Sequence, residues 1–212
     1  MIKIEKVDVM NLENAIRGAR NPLNSWHLAD SYYDENNNFF LGQKDLDLAL
    51  RLVRAGSDHR KFIRQIFVSL DITAPLYWWK EYDTYKVATV ANSTSTMHKI
   101  SAKEFELTDF SYEEMNEETL DEFKKIIIHL EKLRVSYNEN KNKETWYSMI
   151  QFLPSSYNQK RTCTLNYENL LSMYFSRKSH KLKEWRVFCV WIKTLPYMEE
   201  FINVIEEKGK MC

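Results

Sequence analysis

Residues 62–95 decide the fold, and they read FIRQIFVSLDITAPLYWWKEYDTYKVATVANSTS. In the first third apolar residues alternate with others, which predicts a strand over 62–72 whose buried face is formed by Ile66, Val68, Leu70 and Ile72. Pro75 suits the first turn of a helix, where its missing N–H costs nothing, so residues 76–86 are predicted to be helical. A loop follows with five Ser or Thr residues between positions 87 and 96, and their hydroxyls can donate hydrogen bonds to anionic or carbonyl oxygens.

The remaining sequence predicts one more strand and several helices. Residues 1–10 alternate apolar and polar side chains as a strand does, and a polar, turn-rich stretch follows at 14–26. Further helices are predicted over Asp45–Ala55 with Gly56 closing it, from Thr119, from Glu144, and over Leu165–Arg177, Leu182–Leu195 and Tyr197–Glu207. Because no internal repeat or linker interrupts this order, residues 1–212 are predicted to form a single domain.

Composition and charge exclude several classes of function. The 30 basic and 30 acidic residues cancel, so no overall field would draw the protein to DNA, RNA or an anionic membrane. No stretch of 18 apolar residues occurs, and residues 1–10 lack the apolar run of a signal peptide. With only three cysteines, at 163, 189 and 212, the protein is expected to be cytoplasmic and reduced.

Common catalytic and metal-binding motifs are missing from the sequence. There is no Gly-rich phosphate loop, HExxH or CxxC, and the five histidines are not spaced as ligands on one helix, so no metal site is expected. Cys163 and Cys189 fall in or beside apolar helical faces, and we expect them to be buried small hydrophobes and not nucleophiles.

Residue chemistry alone leaves two interpretations of the polar residues open. The hydroxyl-rich loop beside Lys86 can hold a phosphate, and Arg177 can offer a planar fork to a phosphate or to a pyrimidine edge. The alternative is a polar surface loop with a solvated lysine and arginine.

The segment from Ala74 to Ser95 resembles the signature region of flavin-dependent thymidylate synthases. In that family a strand, Ala-Pro, a helix, R-H-R and then S-x-N-E-x-S-x-R-Y follow one another. The corresponding residues here are Ala74-Pro75, Thr84-Tyr85-Lys86 in place of R-H-R, Thr89 at the first Ser, and Asn92 and Ser95 after one inserted residue. Outside this segment His59 lies where the family has a flavin-contacting histidine. Nearer the C-terminus the residues that match the family, in the same order, are Leu153-Pro154, Asn166, Leu170, Arg177 and Trp185.

The sequence also departs from the family pattern. Thr84, Met97 and Ile150 stand at three positions where the family has arginine, and Ser93 replaces its glutamate. Each lost charge-assisted hydrogen bond to phosphate would cost about 1.5–3 kcal/mol, or roughly ten- to a hundredfold in affinity. Compared with a strict thymidylate synthase, these changes favour a substrate that differs from dUMP or a loss of catalysis.

The resemblance implies a fold, an assembly and a set of ligands. It implies an α/β single domain with a mixed sheet packed with long helices, assembled as a homotetramer whose active sites are built across subunits. FAD is the implied cofactor, with NADPH and methylenetetrahydrofolate as co-substrates. The implied reaction is methylation of a pyrimidine deoxynucleotide, dUMP to dTMP or a close variant.

Individual roles follow from the same resemblance. His59, Lys86 and Asn166 are the implied cofactor contacts, while the nucleotide contacts are Lys86, Asn92, Ser95 and Arg177. Arg177 is also the implied catalytic residue, because its charge would stabilise negative charge developing on the pyrimidine. Two alternatives remain open. One is a flavin- or nucleotide-binding homologue without thymidylate synthase activity, and the other is a pyrimidine-modifying enzyme such as a hydroxymethylase.

Overall fold

A computed structural model describes residues 1–210 of the chain, so Cys212 lies outside the described residues. In this part of the chain the strands are β1 (Lys3–Met10), β2 (Tyr32–Tyr33), β3 (Phe39–Phe40), β4 (Phe67–Pro75), β5 (Val90–Ser93) and β6 (Asn158–Asn166). The helices are α1 (Leu12–Ala19), α2 (Gln43–Ala55), α3 (Leu76–Tyr82), α4 (Thr96–Lys99), α5 (Glu117–Asn140), α6 (Lys143–Phe152), α7 (Tyr167–Arg177), α8 (Lys183–Ile192) and α9 (Met198–Lys210).

A four-stranded sheet in the order β1-β4-β6-β5 places β4 in the interior, as the period-two pattern predicts. The residues predicted to face inward are all buried: Ile66, which directly precedes β4, and Val68, Leu70 and Ile72 within it. Strands β4 and β6 run antiparallel, because their contacts pair later residues of one with earlier residues of the other. Thr164 Oγ1 donates to Ser69 at 3.3 Å and Thr162 Oγ1 donates to Asp71 at 2.6 Å. A separate two-stranded sheet pairs β2 with β3 antiparallel.

The chain divides into two compact units. Unit one consists of Met1–Glu5, Asp71–Lys86 and Ala91–Cys163, and unit two of Lys6–Leu70, Val87–Val90 and the chain from Thr164 onward. The prediction of a single domain over 1–212 stays a prediction.

Unit one has an apolar core made largely of aromatic rings. Trp78, Trp79 and Tyr82 of α3 are buried with ring centroids 4.9–5.2 Å apart, within the range of favourable ring pairs. A second cluster lies between α5, α6 and the segment before α5, and it is made of Ile100, Phe105, Phe110, Phe123, Ile127, Leu130 and Met149.

Unit two is organised by helices and by one buried ion pair. Helix α7 packs on α8, and α2 packs on α9. Arg20 Nε donates to Asp45 Oδ1 at 2.6 Å, with both side chains at most 4% exposed. The other carboxylate oxygen of Asp45 accepts hydrogen bonds from Ser31 and from the backbone N–H of Asp30. This network holds the irregular segment 20–42 against the first turn of α2.

Several predicted boundaries are wrong. Residues 61–65 form a 3-10 turn, so β4 begins only at Phe67, and α3 ends at Tyr82 and not at residue 86. Part of the turn-rich stretch at 14–26 belongs to α1, and the predicted loop after Lys86 contains β5 and α4. Helix α5 begins at Glu117, two residues before the predicted start at Thr119, and is capped by Asn116. The predicted helix over Leu165–Arg177 begins at Tyr167, after β6, a strand that the sequence analysis missed.

Candidate functional site

The first turn of α7 forms the centre of the candidate site in unit two. Asn166 is buried, and its side-chain oxygen accepts a hydrogen bond from the backbone N–H of Asn169 at 3.0 Å, while the side-chain oxygen of Asn169 accepts one from the backbone N–H of Asn166 at 3.2 Å. Such a reciprocal cap satisfies N–H groups that a helix start leaves unpaired. The structure therefore gives Asn166 a firm structural role as the N-cap.

The segment carrying His59 is fastened to this helix start by an ion pair. Arg60 makes a bidentate contact with Glu168, with its Nη2 at 2.7 Å and its Nε at 3.0 and 3.1 Å from the carboxylate oxygens. Both side chains are about four-fifths buried. His59 itself is exposed and follows the tight turn at Gly56, whose φ of 117° favours glycine.

His59 lines a groove of about 460 Å³ in unit two. Its polar neighbours in the groove include Asn21, Asp58, Lys61 and Gln65, and its apolar walls include Leu52 and Phe62. An apolar cleft with a few convergent polar groups is the usual form of a cofactor or substrate site.

The chain just after Lys86 also reaches the first turn of α7. Asn169 Nδ2 donates to the carbonyl of Val87 at 2.8 Å. Two segments that lie apart in sequence, the His59 turn and residues 87–90, are therefore both held by the first turn of α7. Lys86 is exposed at the end of the preceding segment of unit one.

In unit one the predicted nucleotide residues lie on a short edge strand and a helical turn. Asn92 is exposed on β5, and Ser95 caps α4 by accepting a hydrogen bond from the N–H of His98 at 3.0 Å. The hydroxyl hydrogen of Ser95 can still be donated to a ligand, because that contact uses its oxygen as the acceptor. The hydroxyl-rich region is thus ordered by hydrogen bonds and is not an irregular loop.

Arg177 is the last residue of α7, at the opposite end from Asn166. Eleven helical residues separate the two ends by about 16 Å, so both side chains can contact one ligand only if it is long. The Arg177 guanidinium lies 4.9 Å from the ring centroid of buried Trp185, a cation–π contact that orients it.

None of the three residues at family arginine positions provides a charge. The Thr84 hydroxyl donates to the Glu81 carbonyl at 2.7 Å, Met97 is half-exposed, and Ile150 packs against the apolar cluster of unit one. Arg161 on β6 is a largely buried cation that the sequence analysis missed, because nothing in the local sequence of a strand marks an inward-facing arginine.

The cysteines show no sign of nucleophilic activation. Cys163 and Cys189 are buried, which raises the pKa of the first thiol to about 11 and that of the second to about 12. A thiol with such a pKa carries almost no thiolate at neutral pH, so both cysteines act as the expected small hydrophobes.

Two further features are absent from residues 1–210. No group of three or more His, Cys, Asp or Glu side chains there is arranged to hold a metal ion. Likewise, none of the helices in the described chain is both long enough and apolar enough to cross a membrane.

Comparison with known proteins identifies the fold of the chain. No model of a protein family matches the sequence. No curated protein sequence matches it either. Solved structures do match, among them Thymidylate Synthase X (ThyX) from Helicobacter pylori with FAD and dUMP, at 18% identity over 97% of this chain and 100% of that one, with a TM-score of 0.70. This chain has the fold of a flavin-dependent thymidylate synthase.

A second structure gives the same result. It is the flavin-dependent thymidylate synthase ThyX from Helicobacter pylori complexed with FAD and dUMP, at 19% identity, with a TM-score of 0.67 and coverage of 97% of this chain and 98% of that one. The predicted α/β class with a mixed sheet packed with long helices is therefore confirmed. At this level of identity the likeness establishes the fold, and the activity must be argued from the site.

Proposed function

We propose that the protein is a flavin-dependent enzyme that acts on a pyrimidine deoxynucleotide, dUMP or a close variant, with methylenetetrahydrofolate as carbon donor and NADPH as reductant. The observation that carries this proposal is the first turn of α7. This turn begins at the buried cap Asn166. It holds the His59 turn through the Arg60–Glu168 ion pair and residues 87–90 through Asn169. The chain that carries it has the thymidylate synthase fold.

The chemistry of the groove that His59 lines is compatible with a flavin nucleotide. The groove beside His59 has an apolar wall for a ring system and contains Lys61 and Asn21 as donors. A helix N-terminus favours negative charge such as a phosphate, although here Glu168 already occupies part of that role. When bound, FAD would supply the redox chemistry that no side chain can.

The nucleotide contacts are proposed residue by residue. Lys86 would pair with a phosphate, while Asn92 and Ser95 would donate hydrogen bonds that orient the nucleotide. Arg177, oriented by Trp185, would stabilise negative charge on the pyrimidine ring. We also propose the family's homotetramer and a cytoplasmic location for this chain.

The neutral residues at positions 84, 97 and 150 favour a second candidate function. A homologue that binds flavin or nucleotide without turnover, or one that places a different one-carbon group on the pyrimidine, would need fewer phosphate contacts. Of these two alternatives, the homologue that binds without turnover is favoured, because the loss of cationic groups explains it without any new activity.

A flavin titration tests the proposal. FAD should bind the purified protein, quench its tryptophan fluorescence and raise its melting temperature, and His59→Ala should weaken this binding. Asn166→Ala should also weaken FAD binding, and this loss of affinity should be larger than the loss caused by removing a helix cap elsewhere in the chain. The matched control is Asn116→Ala, which removes the equivalent cap of α5 and should leave FAD binding unchanged. An unchanged fluorescence and melting temperature with FAD would refute the flavin assignment.

Turnover is tested separately. With FAD, NADPH and methylenetetrahydrofolate present, loss of the C5 hydrogen of dUMP and formation of a methylated product would support the enzyme. Binding of FAD and dUMP without product would favour the binding protein.

A further inference from the structure

A chain of side-chain contacts in unit one begins at Arg161. Its guanidinium donates through Nη1 to Asp83 at 2.7 Å and through Nε to Gln159 Oε1 at 3.0 Å. Gln159 in turn donates through Nε2 to the carbonyl of Thr94 at 2.7 Å. The contacts thus run from the end of α3, across β6, to the residue that follows β5.

The two outer members of this chain flank the proposed nucleotide segment. Asp83 directly precedes residues 84–93, which include Lys86 and Asn92, and Thr94 directly follows them. A second bond holds the same end, because the N–H of Thr94 donates to the carbonyl of Lys160 at 2.9 Å.

The two central members of this arrangement, Arg161 and Gln159, are largely buried. The Arg161 side chain is only 15% exposed and its guanidinium lies 4.2 Å from the centroid of the buried Trp79 ring. Gln159 is 7% exposed, and its backbone carbonyl accepts the indole N–H of Trp79 at 2.9 Å. Asp83 is 53% exposed, so solvent screens its bond to Arg161, whereas the two bonds made by the Gln159 side chain lie in a partly desolvated position.

We propose that Arg161 and Gln159 form a clamp that closes the ends of segment 84–93 and so positions Lys86 and Asn92 for an anionic nucleotide. Arg161 is assigned as a positioning residue, because its Nε and Nη1 donate to protein partners and its plane is held against Trp79. The proposal rests on the proposed function for the identity of the ligand, whereas the ordering of the segment can be measured without any ligand.

Hydrogen–deuterium exchange of the full chain tests the clamp directly. Arg161→Met keeps the side-chain length over Trp79 but removes both hydrogen bonds, and exchange in 83–86 and 91–95 should become roughly tenfold faster, as expected for the loss of one charge-assisted bond. Gln159→Met should accelerate exchange only in 91–95, and Asp83→Asn only in 83–86. Arg161→Lys, which keeps the charge, should give a smaller change than Arg161→Met.

The matched control is Arg134→Met. Arg134 is buried to a similar degree, at 17% side-chain exposure, and its partners are the Glu131 carboxylate and the Ser101 carbonyl, neither of which belongs to 83–95. Arg134→Met should lower the melting temperature about as much as Arg161→Met does, while leaving hydrogen exchange in 83–95 unchanged. Equal exchange in 83–95 for Arg161→Met and the unaltered protein would overturn the clamp.

Titration with dUMP separates the clamp from the proposed function. We expect dUMP to bind Arg161→Met roughly tenfold more weakly than the unaltered protein, with Arg134→Met unaffected. If exchange rises as expected but the unaltered protein binds no dUMP, the proposed function fails and the clamp stands. If the unaltered protein binds dUMP and Arg161→Met binds it equally with unchanged exchange, the clamp fails and the function stands.

Discussion

Replacing Asp45 by asparagine should destabilise the protein strongly, because it leaves Arg20 charged and buried. The carboxylate accepts hydrogen bonds from Arg20 and Ser31 and from the backbone N–H of Asp30, at 2.6–3.1 Å. Removing one partner of such a buried pair costs about 3–5 kcal/mol. For a chain of this size each kcal/mol lowers the melting temperature by about 2–4 °C, so we expect a fall of roughly 6–20 °C.

Thermal and urea unfolding, followed by circular dichroism, measure this loss. The control is Asp121→Asn, which breaks an ion pair with Lys124 on the exposed face of α5 and should cost less than about 1 kcal/mol. A double variant with Arg20→Met and Asp45→Leu should recover part of the stability, because no unpaired charge remains, while the N–H groups of Asp30 and Ser31 still lose their acceptor. If Asp45→Asn is no less stable than Asp121→Asn, the ion pair does not stabilise unit two.

The same carboxylate predicts a dependence on pH. Burial by itself would raise the pKa of Asp45, but the hydrogen bonds from Ser31, from the Asp30 N–H and from Arg20 outweigh it and lower this pKa below its ordinary value. The folded pKa thus lies below that of the unfolded chain, which is about 4. The stabilisation is therefore complete above about pH 4 and is lost as the pH falls through the folded pKa, so the difference between the protein and Asp45→Asn should shrink in acid.

Three further predictions concern the candidate site and the cysteines. Arg177→Ala should weaken nucleotide binding by about 1.5–3 kcal/mol in calorimetry, and it should also cost about 0.5–2 kcal/mol of stability because its cation–π contact with Trp185 is lost. Equal dUMP affinity in both proteins would remove Arg177 from the site. Glu168→Gln should release Arg60, lower stability by about 1–2 kcal/mol and weaken FAD binding, whereas unchanged FAD affinity would separate this ion pair from the flavin site. Cys163 should react with a thiol reagent only after unfolding, so rapid labelling of the native protein at pH 7 would contradict its raised pKa.

Local sequence predicted those elements whose buried faces are apolar. Strand β4 follows a period of two, and its inward residues are buried as expected, while α2 ends at Gly56 as its sequence indicates. The order Ala74-Pro75, Asn92, Asn166 and Arg177 was sufficient to indicate the thymidylate synthase fold, which the solved structures then confirmed.

Strand β6 was missed because its inward face is partly polar. Its residues alternate as a strand requires, but Gln159 and Arg161 occupy inward positions beside Cys163 and Leu165. Because only part of this face is apolar, apolar periodicity does not predict a strand there. Strand β5 was missed for a different reason, since all four of its residues are exposed at the edge of the sheet and carry no alternating pattern.

The sequence by itself determined the class of fold, the central strand and the candidate residues, because periodicity and motif order depend on neighbours along the chain. Only the tertiary structure decided which polar residues are buried partners. From its sequence neighbours alone, Asp45 is an acidic residue that stabilises the first turn of a helix. In the structure it forms a buried ion pair with Arg20, which is 25 residues away. Arg161 similarly meets Asp83 across 78 residues. The free energy of a buried charge depends on which groups surround it in space, and sequence neighbours do not specify those groups.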